Sequence, residues 1–251
     1  STETGEPLAI MPDGVIQRMR VGATSALGTD YLAKQEARTA AIIGSGWQAG
    51  AQLMGLLAVR PEIHTIRMFS PNSANVETFC REWGGQFSQE FCAFQSMTEA
   101  VQGADVVLCA TSSIDPVFES DYFEPGMHVG SIKPPEISKD SLDLADKVCV
   151  HLGHGKPALV QADNLVVPDH SGDRGWKISD TFDFSSCTTL PDLVSGSVGG
   201  RVDNDERTCF VNDLGLGLQF AVVAGVTFQL AESAGIGQAL PTELFTQIEH
   251  P

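Results

Sequence analysis

The chain has 251 residues, of which 32 are Asp or Glu and 15 are Lys or Arg, so its formal net charge at pH 7 is −17. A protein this acidic repels the phosphates of nucleic acids and of anionic membrane surfaces, which excludes both as expected partners. The hydrophobic fraction of 42% is that of a globular protein, and the length allows one large domain with part of a second.

Apolar spacing and cysteine usage point to a cytoplasmic protein. Residues 214–230 form the most apolar stretch, but two glutamines interrupt it, so it is interpreted as a buried helix rather than a membrane span. The six cysteines are scattered without a CxxC pair, so we expect neither a metal site nor disulfides, and a reducing compartment fits best.

The first 150 residues alternate between helical and extended patterns. Helical spacing of apolar residues predicts helices over residues 13–33, 47–59, 74–83 and 98–102. Short apolar runs predict strands at residues 39–44, 65–69, 91–94, 104–110, 127–130 and 147–151. This alternation predicts an α/β fold of the Rossmann type, a doubly wound parallel sheet with helices on both faces.

The remainder of the chain is less regular in pattern. Residues 153–204 are rich in Gly, Pro, Asp and Ser without a sustained period, which predicts irregular surface structure. Residues 211–234 are predicted to form one long apolar helix, which a short polar tail follows.

The turn after the first predicted strand carries the most informative motif. Residues 44–49 read GSGWQA and match the pattern G-x-G-x-x-A between a buried strand and a helix. The first glycine permits a tight turn, the second lets the backbone approach a pyrophosphate, and the alanine keeps the helix close to the strand. The helix N-terminus offers amides and a partial positive charge to the phosphates. The predicted contacts of a nicotinamide cofactor here are Gly44, Ser45, Gly46, Trp47, Gln48 and Ala49.

The end of the second predicted strand bears on the choice between NAD and NADP. An acidic residue there would bind the adenosine ribose of NAD, and a nearby arginine would favour NADP. Ser70 and Asn72 follow this strand and no acid does, which slightly favours NADP although no cation stands beside them.

Small hydroxyl residues follow the strand predicted at residues 104–110. Because ligands of open α/β sheets bind beyond the carboxyl ends of strands, these side chains are candidates for bonding the ribose or the nicotinamide. The alternative is a capped turn before Pro116, since Ser and Thr also favour turns. The residues concerned are Thr111, Ser112 and Ser113.

Five segments of the sequence carry a family resemblance: residues 4–9, 20–27 with 31–33, 43–49, 103–113 and 124–129. On these segments the sequence resembles, over nearly its whole length, the ornithine cyclodeaminase/mu-crystallin family. Residues 131–137 look most like the branch of the family associated with ectoine breakdown.

The resemblance implies an activity and further site residues. Members of this family use NAD(P) to move a hydride at the α-carbon of amino acids or of their cyclic imines, usually as dimers. Arg20 matches the family arginine that binds the substrate carboxylate, a role that suits the bidentate guanidinium fork. The cofactor contacts that the resemblance adds or supports are Thr24, Thr111, Ser112, Ile132 and Asn212.

The sequence departs from the family at two places, and the first of them favours imine reduction or amine oxidation over ornithine cyclisation. Cyclodeaminases place a catalytic Asp in the loop after the strand that ends near Gly130, and this shortened loop has none. Lys133 and Glu136 remain as candidate acid/base groups, the alternative being solvated loop charges. The family's Lys-Ser pair before the last helix is replaced by Val211 and Asn212, of which Asn212 still offers an amide to the carboxamide of the cofactor.

The resemblance also implies a domain organisation. Family members carry an N-terminal segment that supplies another substrate arginine and the main catalytic lysine, and this chain starts after it. We therefore expect a fragment or processed product, completed by a companion N-terminal chain or fragment of the same polypeptide. Residues 1–24 are then the remainder of the substrate/dimerisation domain, residues 25–210 the NAD(P)-binding domain, and residues 211–251 the helix that returns to the former.

The expected function is that of an NAD(P)-dependent oxidoreductase acting on an α-amino acid/imine pair, in ectoine or amino-acid catabolism, as a homodimer. One alternative is an ornithine-cyclodeaminase-type lyase that releases ammonia. Another is a non-catalytic, cofactor-dependent binding protein of the crystallin type.

Overall fold

The computed structural model of the protein describes residues 1–152, 182–241, 243 and 245. Its contacts divide the chain into two compact units. One comprises Ser1–Arg20 and Gly215–Pro251, and the other comprises Val21–Leu214. The second unit contains all the strands found in the described residues.

Helices and strands alternate over the first 150 residues, as the sequence predicts. The described helices are α1 (Asp13–Leu32), α2 (Trp47–Val59), α3 (Ser73–Gly84), α4 (Met97–Val101), α5 (Lys139–Leu144), α6 (Leu190–Ser195) and α7 (Gly217–Ala234). The described strands are β1 (Thr39–Ile43), β2 (Thr65–Phe69), β3 (Glu90–Ala93), β4 (Val106–Cys109), β5 (His128–Ser131), β6 (Lys147–Val150), β7 (Thr188–Thr189) and β8 (Thr208–Val211). The elements predicted before residue 152 are confirmed, with ends shifted by at most two residues.

The strands form one parallel sheet in the order β3-β2-β1-β4-β5-β8-β6-β7, which confirms the Rossmann-type fold. Successive residues of the central strands belong to two apolar clusters, Ile42 and Leu108 to one and Ile43 and Val107 to the other. Both faces of the sheet are therefore covered, as a parallel sheet requires. The chain order reverses at β1, which pairs with β2 on one side and β4 on the other. Such a switch point leaves a crevice at the carboxyl ends of the strands.

The prediction of a single helix over residues 211–234 is wrong at its start. Residues Thr208–Val211 form the fully buried strand β8 between β5 and β6, and α7 begins only at Gly217. A short buried strand and the first turn of an apolar helix are both plain apolar runs, so periodicity alone does not separate them.

The interpretation of the last long helix as buried is also wrong for this chain. No residue of α7 is buried, and a stripe of apolar side chains at four-residue spacing is more than half exposed. The stripe consists of Leu218, Val222, Val226 and Leu230. Hydrophobicity indicates a surface suited to burial, but it does not say which partner buries it.

The prediction of irregular structure over residues 153–204 has two outcomes. Residues 153–181 lie outside the described part of the chain. In the remainder the prediction is wrong for the short strand β7 and for α6, which begins at a capping box between Thr189 and Asp192. The threonine hydroxyl accepts from the Asp192 amide at 3.3 Å, and the carboxylate accepts from the Thr189 amide at 3.0 Å.

Within the described ranges, no helix combines the length and the apolar character that crossing a membrane requires. The same residues bring together no group of three or more His, Cys, Asp or Glu side chains that could hold a metal ion.

Two arginines stabilise the carboxyl end of α1. The last turn of this helix contains no basic residue. Arg60 Nη2 instead donates to the Asp30 carbonyl at 2.6 Å, and Arg201 Nε donates to the Leu32 carbonyl at 2.6 Å. These cations satisfy carbonyls that have no partner within the helix and complement the negative end of its dipole.

A buried histidine beside this cluster makes the stability of the fold depend on pH. Burial, followed by the charges of Arg201 and Arg60, lowers the pKa of His128 from 6.5 to about 3. Folded protein therefore keeps His128 neutral where unfolded protein protonates it. The stabilisation is complete above pH 6.5 and is lost as the pH falls from 6.5 toward 3, with a slope of up to about 1.4 kcal/mol per pH unit.

The variant His128→Gln tests this dependence. We expect urea denaturation of the variant to show a shallower decline of the unfolding free energy between neutral pH and about pH 4 than the wild type shows. Equal slopes for the two proteins would assign the acid sensitivity to other groups.

Candidate functional site

The backbone of the glycine turn is fixed by the strands on both sides of β1. The Gly44 amide donates to the Phe69 carbonyl at 2.8 Å, at the end of β2. Gly44 has a φ of +108°, and a Cβ there would overlap the Ala110 carbonyl oxygen just beyond β4. Only glycine meets both the positive φ and this close approach, as the motif predicts for the first position.

Gly46 plays a different part, as the N-cap residue of α2. Its backbone is extended, with a φ of −88°, and a Cβ there would have nothing within 4 Å. No side chain caps the helix, so the amides of its first turn and the positive end of its dipole adjoin open space. That combination is a ready-made site for an anion such as a phosphate.

A cleft of about 720 Å³ opens at the carboxyl ends of β1, β2 and β4. This volume lies in the usual range for small-molecule sites. Ten of the residues predicted to contact the cofactor line the cleft: Gly44, Ser45, Gly46, Trp47, Gln48, Ser70, Thr111, Ser112, Ser113 and Ile132.

The cleft has an apolar part that sequence reasoning missed. The residues that line it without having been predicted include Phe69, Pro71, Met97 and Val117. Met97 begins α4, the next element after β3, and the rule that ligands bind beyond strand ends could have found it. Their side chains offer the kind of apolar surface against which a planar ring packs.

Four predicted cofactor contacts are not among the lining residues. Asn72 caps α3, because its Oδ1 accepts from the Asn75 amide at 3.2 Å. The buried Asn212 Nδ2 donates to the Val21 carbonyl at 3.4 Å. Ala49 and Thr24 are buried as well.

The loop after β4 fits both readings of its hydroxyl residues. It is a hydrogen-bonded turn, because the Ser113 amide donates to Thr111 Oγ1 at 3.2 Å and the Asp115 amide donates to Ser113 Oγ at 3.2 Å. The same loop presents Thr111, Ser112 and Ser113 to the cleft.

Lys133 and Glu136 are buried, so the alternative that they are solvated loop charges is wrong. Lys133 is 8% exposed and Glu136 is 0% exposed. Lys133 Nζ donates to the Ser113 carbonyl at 2.5 Å, and the Glu136 carboxylate accepts from the Thr111 amide at 2.6 Å. Burial raises the pKa of Glu136, although hydrogen bonds from Thr111 and Ile132 and the nearby Lys133 oppose the shift.

Arg20 belongs to the compact unit formed by Ser1–Arg20 and Gly215–Pro251, and its neighbours there include Phe220 and Gly215. Its guanidinium lies 5.1 Å from the centre of the Phe220 ring. A Cβ on Gly215 would lie 2.8 Å from Arg20 Nη1, so the glycine leaves room for this side chain. Burial lowers the pKa of Arg20 from its ordinary value.

Two observations indicate that the cleft suits a dinucleotide. The open space beside Gly46 adjoins an uncapped helix N-terminus. In addition, Gln48 Oε1 is a buried acceptor with no hydrogen-bond partner in the structure, and Gln48 lines the same cleft. A buried acceptor without a partner is costly unless a ligand or water supplies the donor.

Comparison with known proteins identifies enzymes of amino-acid chemistry as relatives. The chain is 29% identical over 244 residues to the Delta(1)-pyrroline-2-carboxylate reductase of Bacillus cereus, a match that covers 95% of this chain and 71% of that protein. It is 27% identical over 243 residues to the N-((2S)-2-amino-2-carboxyethyl)-L-glutamate dehydrogenase of Staphylococcus aureus, with coverage of 95% and 68%.

Solved structures show the same likeness. Delta(1)-pyrroline-2-carboxylate reductase of Thermococcus litoralis, in complex with NADH and L-proline, superposes with a TM-score of 0.79 at 28% identity, covering 95% of this chain and 72% of that one. An archaeal alanine dehydrogenase dimer with bound NAD gives a TM-score of 0.77 at 25% identity, with coverage of 96% and 72%.

The strongest finding concerns nearly the whole chain. Residues 1–234 match the model of the ornithine cyclodeaminase/mu-crystallin family. The match includes the glycine turn, the loops that line the cleft and the whole of α7. The chain therefore belongs to the ornithine cyclodeaminase/mu-crystallin family.

Proposed function

We propose that this protein is an NAD(P)-dependent oxidoreductase that interconverts an imine and an α-amino acid. The observation that carries the proposal is the glycine turn after β1, which opens onto the cleft at the end of an uncapped helix. The named relatives support it, because they include reductases and dehydrogenases of amino acids or of a cyclic imine.

The cofactor contacts follow from the lining of the cleft. The amides after Gly44 and at the start of α2 would hold the pyrophosphate, while Ser70, which lines the cleft, is the candidate beside the adenosine ribose. Residues 111–113 with Ile132 would border the nicotinamide nucleotide, and the bound cofactor would supply the hydride. Solved relatives bind NADH or NAD. The absence of an acid after β2 supports the proposal that this chain also accepts NADP and slightly prefers it.

The substrate contacts are proposed from chemistry. Arg20 would bind the α-carboxylate that such substrates share, because a guanidinium pairs with a carboxylate through two parallel hydrogen bonds. Three expectations stay predictions. They are the companion N-terminal segment with the main catalytic lysine, the link to ectoine breakdown and the cytoplasmic location. We also propose a homodimer, which the exposed apolar stripe of α7 and the dimeric alanine dehydrogenase support.

The experiment measures the absorbance of the nicotinamide cofactor while the complete polypeptide is incubated with each member of a panel of substrates. With Delta(1)-pyrroline-2-carboxylate, or with pyruvate and ammonia, we expect oxidation of NADPH or NADH. With L-proline or L-alanine we expect reduction of the oxidised cofactors. A kcat/KM for NADPH a few-fold above that for NADH would agree with the absence of an acid after β2.

Two other results would redirect the proposal. Release of ammonia from L-ornithine without net change of the cofactor would indicate a cyclodeaminase. Tight binding of a nicotinamide nucleotide without turnover of any member of the panel would indicate a binding protein.

A further inference from the structure

The loop of residues 111–118, which borders the cleft, is held at three points by the segment after β5. At its start the Glu136 carboxylate receives two hydrogen bonds from one residue. In its middle the Ser113 carbonyl accepts from Lys133 Nζ at 2.5 Å. At its end the Glu136 carbonyl accepts from the amides of Val117 and Phe118 at 2.9 and 3.0 Å. Glu136 therefore acts on both ends of this loop.

The Glu136 carboxylate uses both of its oxygens. Oε1 accepts from the Thr111 amide at 2.6 Å and from Thr111 Oγ1 at 2.8 Å, and Oε2 accepts from the Ile132 amide at 2.9 Å. The side chain is fully buried. A buried carboxylate requires such donors, and three of them favour its charged form.

These bonds also decide what Thr111 offers to a ligand. A hydroxyl has one proton and two lone pairs. Thr111 Oγ1 donates its proton to Glu136 and accepts from the Ser113 amide at 3.2 Å. One lone pair remains, so toward the cleft Thr111 is a hydrogen-bond acceptor only.

We propose that Glu136 is a positioning residue of the cofactor cleft, which fixes residues 111–113 and keeps the Thr111 hydroxyl as an acceptor for an N–H or O–H of the nicotinamide nucleotide. The inference rests on the proposed function, because it requires the cleft to bind that nucleotide. It assigns Glu136 no proton transfer to the substrate.

Protonation of Glu136 removes this arrangement. One carboxyl oxygen then carries a hydrogen, and it no longer accepts hydrogen bonds as a carboxylate oxygen does. The charged group that acts on Glu136 is Lys133, whose attraction favours the carboxylate. Cys109 is the titratable neighbour on which Glu136 acts, because burial and the charge of Glu136 both raise the pKa of its thiol. Because Cys109 stays a neutral thiol, acidification changes the loop through Glu136, at a higher pH than for an exposed glutamate.

A matched pair of variants tests the proposal by NADH fluorescence titration. Asp105 also accepts from two backbone amides, those of Arg38 and Thr39 at 2.8 and 3.1 Å, but at the opposite end of β1. We expect Glu136→Gln to weaken NADH binding about tenfold, and Asp105→Asn to change it by less than about twofold. Urea denaturation reports the stability of both.

Four further results complete the test. Thr111→Val should weaken NADH binding as Glu136→Gln does, the double variant should be no weaker than either single one, and Thr111→Ser should bind as the wild type does. The wild-type Kd should rise on acidification, whereas that of Glu136→Gln should not. Should Glu136→Gln fail to fold, the threonine pair and the wild-type pH profile decide.

Equal NADH affinities of Glu136→Gln and Asp105→Asn, or undiminished affinity of Thr111→Val, would overturn the inference and leave the proposed function standing. A wild-type protein that binds neither NADH nor NADPH contradicts the proposed function itself, and the inference falls with it.

Discussion

Replacing Gly46 with valine should weaken the binding of NADH and NADPH at least about a hundredfold while changing the free energy of unfolding by less than about 1 kcal/mol. The extended backbone of Gly46 accommodates any residue, and its Cβ would point into open space. The new side chain would occupy the space through which a pyrophosphate approaches the amides of α2. Fluorescence titration with NADH and urea denaturation measure the two effects separately.

Two glycine variants serve as controls for this prediction. Gly199 has no atom within 4 Å of a built Cβ either, so Gly199→Val should change neither binding nor stability. Gly44→Ala should lose stability as well as binding, because its φ is positive and the methyl group would overlap the Ala110 carbonyl. If Gly46→Val binds NADH as Gly199→Val does, the turn does not hold the pyrophosphate.

The glycine turn could be predicted because its signal is local. Residues 39–59 contain the strand, the turn and the helix in succession, and each residue type in the motif answers a constraint set by its immediate neighbours. The structure confirms the strand, turn and helix, with Gly44 at the positive φ that the turn requires.

The role of Glu136 could not be predicted, because it depends on contacts between distant parts of the sequence. The sequence shows an acid in a loop that contains two prolines, a context typical of solvated charges. Its burial arises because β4 and β5 are neighbours in the sheet, so that the segments after them meet. Which segments meet follows from the strand order, and a single sequence does not state that order.

Strand β8 illustrates the other limit of prediction from the sequence. Its four residues are followed, after a segment of five residues, by a much longer apolar helix. An apolar run of this length has no period of its own to measure. Its place between β5 and β6 is a property of the completed sheet.

Because β8 lies inside the sheet, between β5 and β6, removing the Phe210 ring should lower the free energy of unfolding strongly. Phe210 is fully buried in β8, in an apolar cluster with Leu32, Leu190 and Leu193. We expect Phe210→Ala to lower the free energy of unfolding by about 3–5 kcal/mol, since the cavity does not refill. Phe87→Ala is the control, because Phe87 is only partly buried at the edge of another cluster and should cost about 1 kcal/mol.

A second pair of variants tests whether Phe210 lies where the structure places it. A Cβ on Gly28 would overlap the Phe210 ring, so Gly28→Ala should destabilise the protein by about 1–3 kcal/mol through overpacking. Combined with Phe210→Leu, which removes ring atoms, the added methyl group should cost less than the sum of the single changes. Strict additivity, or a Phe210→Ala variant as stable as Phe87→Ala, would mean that β8 does not pack against α1.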